Sequence, residues 1–148
     1  MALVNVVNAA SLAAERGIEW TETSTSQSRD YTNRMTVRAG QVSVGGTTVG
    51  TTSRARLVSV FDQEIEIELA PNLGVFRYRD VPGQVGRVGT ILGEEHVNIA
   101  SAAVSRSSPD GSAVMVVTVD SPVPQSAADR IAALDDFEDV RCVNLGPI

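Results

Sequence analysis

The chain has 148 residues and a net charge of −6, and every one of its 12 basic residues is an arginine. Residues 1–72 carry 6 Arg against 8 acids and residues 73–148 carry 6 against 10, so neither half offers the basic footprint that a nucleic-acid backbone needs. No stretch approaches the roughly 18 continuous apolar residues of a membrane span. The opening MALVNVVNAASLAAERG also lacks the positively charged start of a signal peptide, so a cytoplasmic protein is expected.

A hydrophobic content of 43% suffices for a packed core, while 4% aromatics means that this core is built from Val, Ile, Leu and Ala. The single Cys142 has no partner for an internal disulfide, and its place in the alternating run RCVNL reads as a small core residue. No Cys/His cluster has metal-ligand spacing, so no metal is expected.

In chain order, Asn8 to Arg16 reads as a short helix, with Asn8 as its cap, Leu12 and Ala13 inward and Gly17 as its stop. Ile18 to Ser24 alternates like a half-exposed strand, and the polar STSQSRDY that follows reads as a loop. Thr32 to Arg38 holds Met35 and Val37 on one face. Gln41 to Val49 holds Val42 and Val44 and is expected to turn at Gly45-Gly46. Arg56 to Val60 makes another strand, turning at Phe61-Asp62-Gln63. Glu64 to Leu69, EIEIEL, puts Ile65, Ile67 and Leu69 on one face and Glu64, Glu66 and Glu68 on the other. With no histidine nearby, those carboxylates read as a solvated sheet face rather than as acid/base or metal chemistry.

Ala70-Pro71-Asn72 marks a boundary, because the pattern changes there from hairpins to alternating strand and helix. The chain therefore divides into a mixed unit, 1–72, and a second unit, 73–148. In the second, Leu73 to Tyr78 is a strand and Gly86 to Glu95 a helix, with Val85, Val88, Ile91 and Leu92 as its apolar set. Val97 to Arg106 is a strand, SSPDG a turn, and the continuously apolar Ala113 to Val119 a central strand. Gln125 to Leu134 is a helix with Ala128, Ile131, Ala132 and Leu134 inward, and Val140 to Leu145 a last strand. The fold class is α+β, and the order β-α-β-β-α-β packs two helices on one face of a four-stranded antiparallel sheet. The other face and the open edges are expected to be covered by a second copy of the chain.

Within this unit, Pro82 and Gly83 open a helix whose start carries unpaired N–H groups and a partial positive charge. Asp80 lies just ahead of them, and Asn98 begins the next apolar run. Together they suggest a small polar site suited to a zwitterion. Asp80 has an alternative role as a helix cap, Asn98 as a turn residue and Tyr78 as an ordinary strand aromatic. His96 stands alone in a helix-to-strand turn and is read as incidental.

The turn Arg79-Asp80-Val81-Pro82-Gly83, followed a helix later by Val97-Asn98-Ile99, resembles the ACT family of small-molecule regulatory domains over residues 73–148. VNVVNAASLAAERGI resembles the segment opening the intervening, or allosteric substrate-binding, domain of long-form D-3-phosphoglycerate dehydrogenases, which residues 4–72 match in order and length. This resemblance implies the C-terminal regulatory part of such an enzyme, with its catalytic and NAD-binding domains absent from this chain; NAD belongs to the parent. No G-x-G-x-x-G follows a strand, since Gly83, Gly86 and Gly89 space as GxxGxxG.

It also implies that L-serine or a similar small amino acid binds between two ACT domains. Tyr78, Asp80 and the N–H groups near Val85 and Gly86 would come from one chain, and Asn98 from its neighbour. The physics is compatible: Asp80 accepts from an ammonium group, the helix start receives a carboxylate, and Tyr78 and Asn98 meet a hydroxyl. Arg54 and Arg56 are candidate anion contacts, although EIEIEL is acidic where a phosphate site would want arginine. The same domain pair resembles part of iron–sulfur serine dehydratases, whose cluster needs cysteines that Cys142 alone does not supply. A purely structural oligomerisation module is the remaining alternative.

Overall fold

The computed structural model describes residues 3–26, 31–106 and 110–148. The loop expectations at Gln27–Asp30 and at Ser107–Pro109 lie outside the described residues. Contacts divide the chain into two compact units, Met1–Asp30 and Tyr31–Ile148.

The first unit holds helix α1 (Ala9–Glu15). Asn8 does not cap it with its side chain: Asn8 Oδ1 accepts instead from the Asn5 N–H at 2.8 Å, while Asn5 Oδ1 accepts from the N–H groups of Val7 and Asn8. The cap therefore sits one turn earlier than expected, on Asn5. Gly17 does stop the helix. At φ +68° it takes the left-handed conformation, and the Gly17 and Ile18 N–H groups close back on the carbonyls of Ala14 and Ala13. Ile18 to Ser24 forms no strand, and Ile18 and Trp20 are exposed. Its alternation meets no partner strand among the described residues.

In the second unit the first sheet runs in order β1 (Met35–Ala39), β2 (Val42–Val49), β3 (Arg54–Val60), β4 (Gln63–Glu68), all antiparallel. Gly45-Gly46 is not a turn. β2 runs straight through it with a bulge, and the chain turns instead at Gly40-Gln41 and Gly50–Ser53. A Cβ on Gly45 would stand 2.2 Å from Ser59 Oγ, so glycine serves close strand approach here. β3 and β4 join at Phe61-Asp62 with φ of +50° and +60°, the primed turn that matches strand twist.

EIEIEL behaves as read. Ile65 and Ile67 are buried, Leu69 is half-buried, and the glutamates face outward, where Glu64 pairs with Arg34, Glu66 with Arg56 and Glu68 with Arg54.

The second sheet, in order β6-β7-β5-β8, comprises β5 (Asn72–Arg79), β6 (Ile99–Ser105), β7 (Ser112–Val119) and β8 (Phe137–Asn144), with α2 (Gln84–Glu94) and α3 (Gln125–Ala132) on one face. This is the expected βαββαβ ferredoxin-like arrangement. β7 is central and buried along its whole length. Phe76, Tyr78, Met115 and Val117 meet Val88, Ile91, Leu92, Ala127 and Ile131 of the helices. Two helix assignments differ in detail: Val85 is exposed while Gln84 is buried, and Ala127 rather than Ala132 faces inward.

The other face of this sheet does not wait for a second copy. Leu73, Val114 and Val116, with Val75 and Ala103, pack against Leu57, Val60, Ile65 and Ile67 of the first sheet. Face-to-face sheets bury the alternate side chains of both, and each aliphatic chain so removed from water contributes about 1.5–3 kcal/mol. The outer strands of the second sheet are β6, which lies against β4 of the first sheet, and β8.

Candidate functional site

β5 ends at Arg79, and the turn to α2 is fixed by backbone bonds. The Asp80 N–H donates to the Gly111 carbonyl at 2.9 Å, Arg79 N–H to the Asp136 carbonyl at 2.8 Å, and Val81 N–H to the Arg79 carbonyl at 2.8 Å. Gly83 takes φ +91°, a value that only glycine adopts freely. No side chain caps α2. Val85 and Gly86 are exposed, and a Cβ on Gly86 would meet nothing within 4 Å, so the first turn of α2 opens outward. Its leading N–H groups have no carbonyl within the helix to bond.

The Asp80 carboxylate is not the cap of α2. It receives both of its bonds from Arg106 Nε, at 3.0 and 2.9 Å, with Asp80 side-chain exposure of 27% and Arg106 of 72%. Tyr78, two residues earlier on β5, is only 3% exposed and stacked on Phe137 with ring centroids 5.3 Å apart. Burial, and secondarily the Asp80 charge, pushes the Tyr78 phenol above its ordinary value, so it stays protonated and keeps its O–H as a donor. Gln84 is buried and donates through Nε2 to Asp136 Oδ2 at 3.0 Å; Asp136 also pairs with Arg79.

Asn98 stands elsewhere. β5 and β6 both run antiparallel to β7 and hence parallel to each other, with Asp80 just past the end of β5 and Asn98 just before the start of β6. The 11 residues of α2 separate them, a span of about 16 Å at 1.5 Å per residue. Asn98 is exposed, and its N–H donates to Asp120 Oδ1 at 3.3 Å. The structure thus gathers Tyr78, Asp80, Val85 and Gly86 at one end of the sheet and sets Asn98 at the other.

Arg106 and Gln84 escaped sequence reasoning. The available signal for Arg106 was topological, since a β-α-β crossover brings the C-terminal ends of two parallel strands together, and Arg106 follows β6 as Asp80 follows β5. Arg54 and Arg56 are ion-paired with the strand glutamates on the first sheet. His96 takes φ +59°, and the N–H groups of His96 and Val97 close on Gly93 and Leu92, so its backbone terminates α2. Half-buried Cys142 packs against the helix-side core, and burial pushes its thiol up. Among the described residues no three His, Cys, Asp or Glu are grouped to hold a metal, and no helix is long and apolar enough to cross a membrane.

A βαββαβ sheet with an open helix start after an aspartate-bearing turn defines the ACT class, and residues 73–136 match the ACT domain family. Residues 1–61 match the D-3-phosphoglycerate dehydrogenase intervening domain. Together these matches make the chain the counterpart of the C-terminal regulatory part of D-3-phosphoglycerate dehydrogenases. It is 34% identical over 145 residues to D-3-phosphoglycerate dehydrogenase of Synechocystis, covering 96% of this chain and 26% of that protein. It is 32% identical over 147 residues to the Methanocaldococcus jannaschii enzyme of that name, covering 98% of this chain and 28% of the relative. The Mycobacterium leprae enzyme is likewise 32% identical, over 96% of this chain and 28% of its own length. The chain spans little more than a quarter of these relatives.

Proposed function

We propose that the chain senses L-serine, or a similar small amino acid, and relays its binding to an NAD-dependent phosphoglycerate dehydrogenase as feedback control of serine biosynthesis. The chain itself holds no catalytic residues or cofactor in this reading. One observation carries it: a paired acid and base, Asp80 and Arg106, beside an uncapped helix start. The aspartate receives the ligand's ammonium group, and the helix start and nearby cation receive its carboxylate. Asn98, a helix length away from Asp80, reaches the ligand of a second chain, so the site is completed by a dimer. Serine then favours whichever arrangement of chains binds it more tightly, and by no more than that difference.

Titration calorimetry with L-serine, with glycine and L-alanine as controls, tests the reading. Heat from serine at a stoichiometry of one per chain supports it; a folded, dimeric sample that binds none of the three sinks it. The reading of a structural oligomerisation module draws on the same salt bridge, in which Arg106 already occupies Asp80. That alternative predicts a dimer that ignores serine.

A further inference from the structure

We propose that Arg106 is the carboxylate-binding residue of this site, and that the Asp80–Arg106 pair as a whole is a receptor for the two charges of an α-amino acid. The proposal rests on the amino-acid-sensing reading above and adds to it a residue and a selection rule. Among the described residues, the ion-paired arginines other than Arg106 use a terminal guanidinium nitrogen in their contacts: Arg34, Arg38, Arg54, Arg56, Arg77, Arg79, Arg130 and Arg141 all engage Nη1 or Nη2. Arg106 touches Asp80 through Nε alone, sharing that one N–H between both carboxylate oxygens at 3.0 and 2.9 Å. Among the described residues its four terminal N–H donors meet no acceptor, and the side chain is 72% exposed and open to a ligand.

The aspartate is likewise only part-used. Two carboxylate oxygens offer about four lone-pair sites, and Arg106 takes one on each. An ammonium group can therefore dock on Asp80 while a carboxylate docks on the Nη edge of Arg106, without breaking the bond between them. The two protein charges are held adjacent, as are the two charges of an α-amino acid, and the planar guanidinium edge matches a carboxylate in a two-bond fork. Because the pair sums to zero charge, it attracts neither cations nor anions from a distance. A ligand carrying one charge leaves the opposite protein charge unmatched, so selection falls on zwitterions.

Calorimetry on the 148-residue chain with L-serine and with L-serinamide, which keeps the ammonium but lacks the carboxylate, separates the roles. The unaltered chain should prefer serine by at least about ten-fold, the scale of a hydrogen bond to a charged group. Arg106→Gln, verified as folded by circular dichroism, should bring the serine-to-serinamide ratio close to one. Arg106→Lys should retain part of it, because an ammonium keeps the charge and loses the fork. If Arg106→Gln keeps the full preference, the arginine merely positions Asp80 and the proposal is wrong. If it binds both ligands more tightly, Arg106 is a plug, and the proposal is again wrong. If the unaltered chain binds no amino acid, the sensing reading itself falls and takes this one with it.

Discussion

The guanidinium of Arg77 lies over the ring of Phe61, 5.6 Å from its centroid, and so joins the turn of one sheet to a strand of the other. Arg77 also pairs with Asp110 at 2.8 Å and with Glu138 at 3.3 Å, and Gln63 Nε2 donates to Ser112 Oγ at 3.4 Å close by. Residues 110–112 thus contact the first sheet through Gln63, while the Gly111 carbonyl holds Asp80 N–H. Phe61 does this with φ +50°, an uncommon conformation for a bulky side chain. Phe61→Ala should retain the backbone strain and lose the packing, lowering unfolding free energy by roughly 2 kcal/mol. Chemical denaturation measures it, and an unchanged midpoint would remove Phe61 from the joint.

The two faces of EIEIEL should respond unequally. Ile67→Ala, on the buried face, should cost about 2–5 kcal/mol, whereas Glu64→Gln should stay within about 1 kcal/mol because exposed pairs are worth little. The same denaturation curves decide. A large loss for the glutamate would mean that the outer ion pairs are structural.

Gly74 is crowded by the core. A Cβ there would lie 2.7 Å from Phe76 Cζ and 3.0 Å from Val117 Cγ2. Gly74→Ala should force the Phe76 ring from its edge-to-face contact with Phe137 and destabilise the fold by about 1–3 kcal/mol. Near-ultraviolet circular dichroism should change along with the denaturation midpoint.

Asp80→Ala and Asn98→Ala should each weaken serine binding by about 1–3 kcal/mol. Mixing the two variants, so that heterodimers form, should restore one intact site per heterodimer if the residues act from different chains. Recovery of tight binding at a fraction of the original stoichiometry is the expected result. Sedimentation of the unaltered chain at tens of micromolar, about the scale at which micromolar interfaces populate, should reveal the dimer this requires.

Tyr78 gives a pH signature. Its folded-state value is raised above the ordinary 10.0, chiefly by burial, so the folded chain holds that proton more tightly than the unfolded one. The resulting stability is present below the unfolded value and is lost as pH rises through the folded one. Tyr78→Phe should therefore flatten the alkaline loss of stability, while a tyrosinate difference spectrum against the variant should place the Tyr78 transition above 10.0.

Much of both sheets was legible because their signals are local. The continuous apolar run of β7 demanded a central place, and the alternation of EIEIEL fixed which side chains turn inward. Gly45-Gly46 misled because glycine pairs suit both a hairpin turn and a close strand crossing. Only the facing Ser59 hydroxyl, far along the chain, distinguishes them. Tyr78, Asp80, Val85 and Gly86 could be picked from one turn, but Arg106 stands 26 residues beyond Asp80 and joins it only through a completed crossover. Which surface covers the helix-free face is equally non-local. Leu73, Val114 and Val116 advertise an apolar face without naming Leu57, Val60, Ile65 and Ile67 as its cover.

That shared cover bears on how the protein can be taken apart. A cut at Pro71 divides the chain neatly between sheets but leaves Leu73, Val114 and Val116 facing water, an apolar patch of the kind that promotes sticking. Anyone wishing to transplant this regulatory domain onto another protein would have to move residues 31–148 together, with the first four strands as its permanent lining.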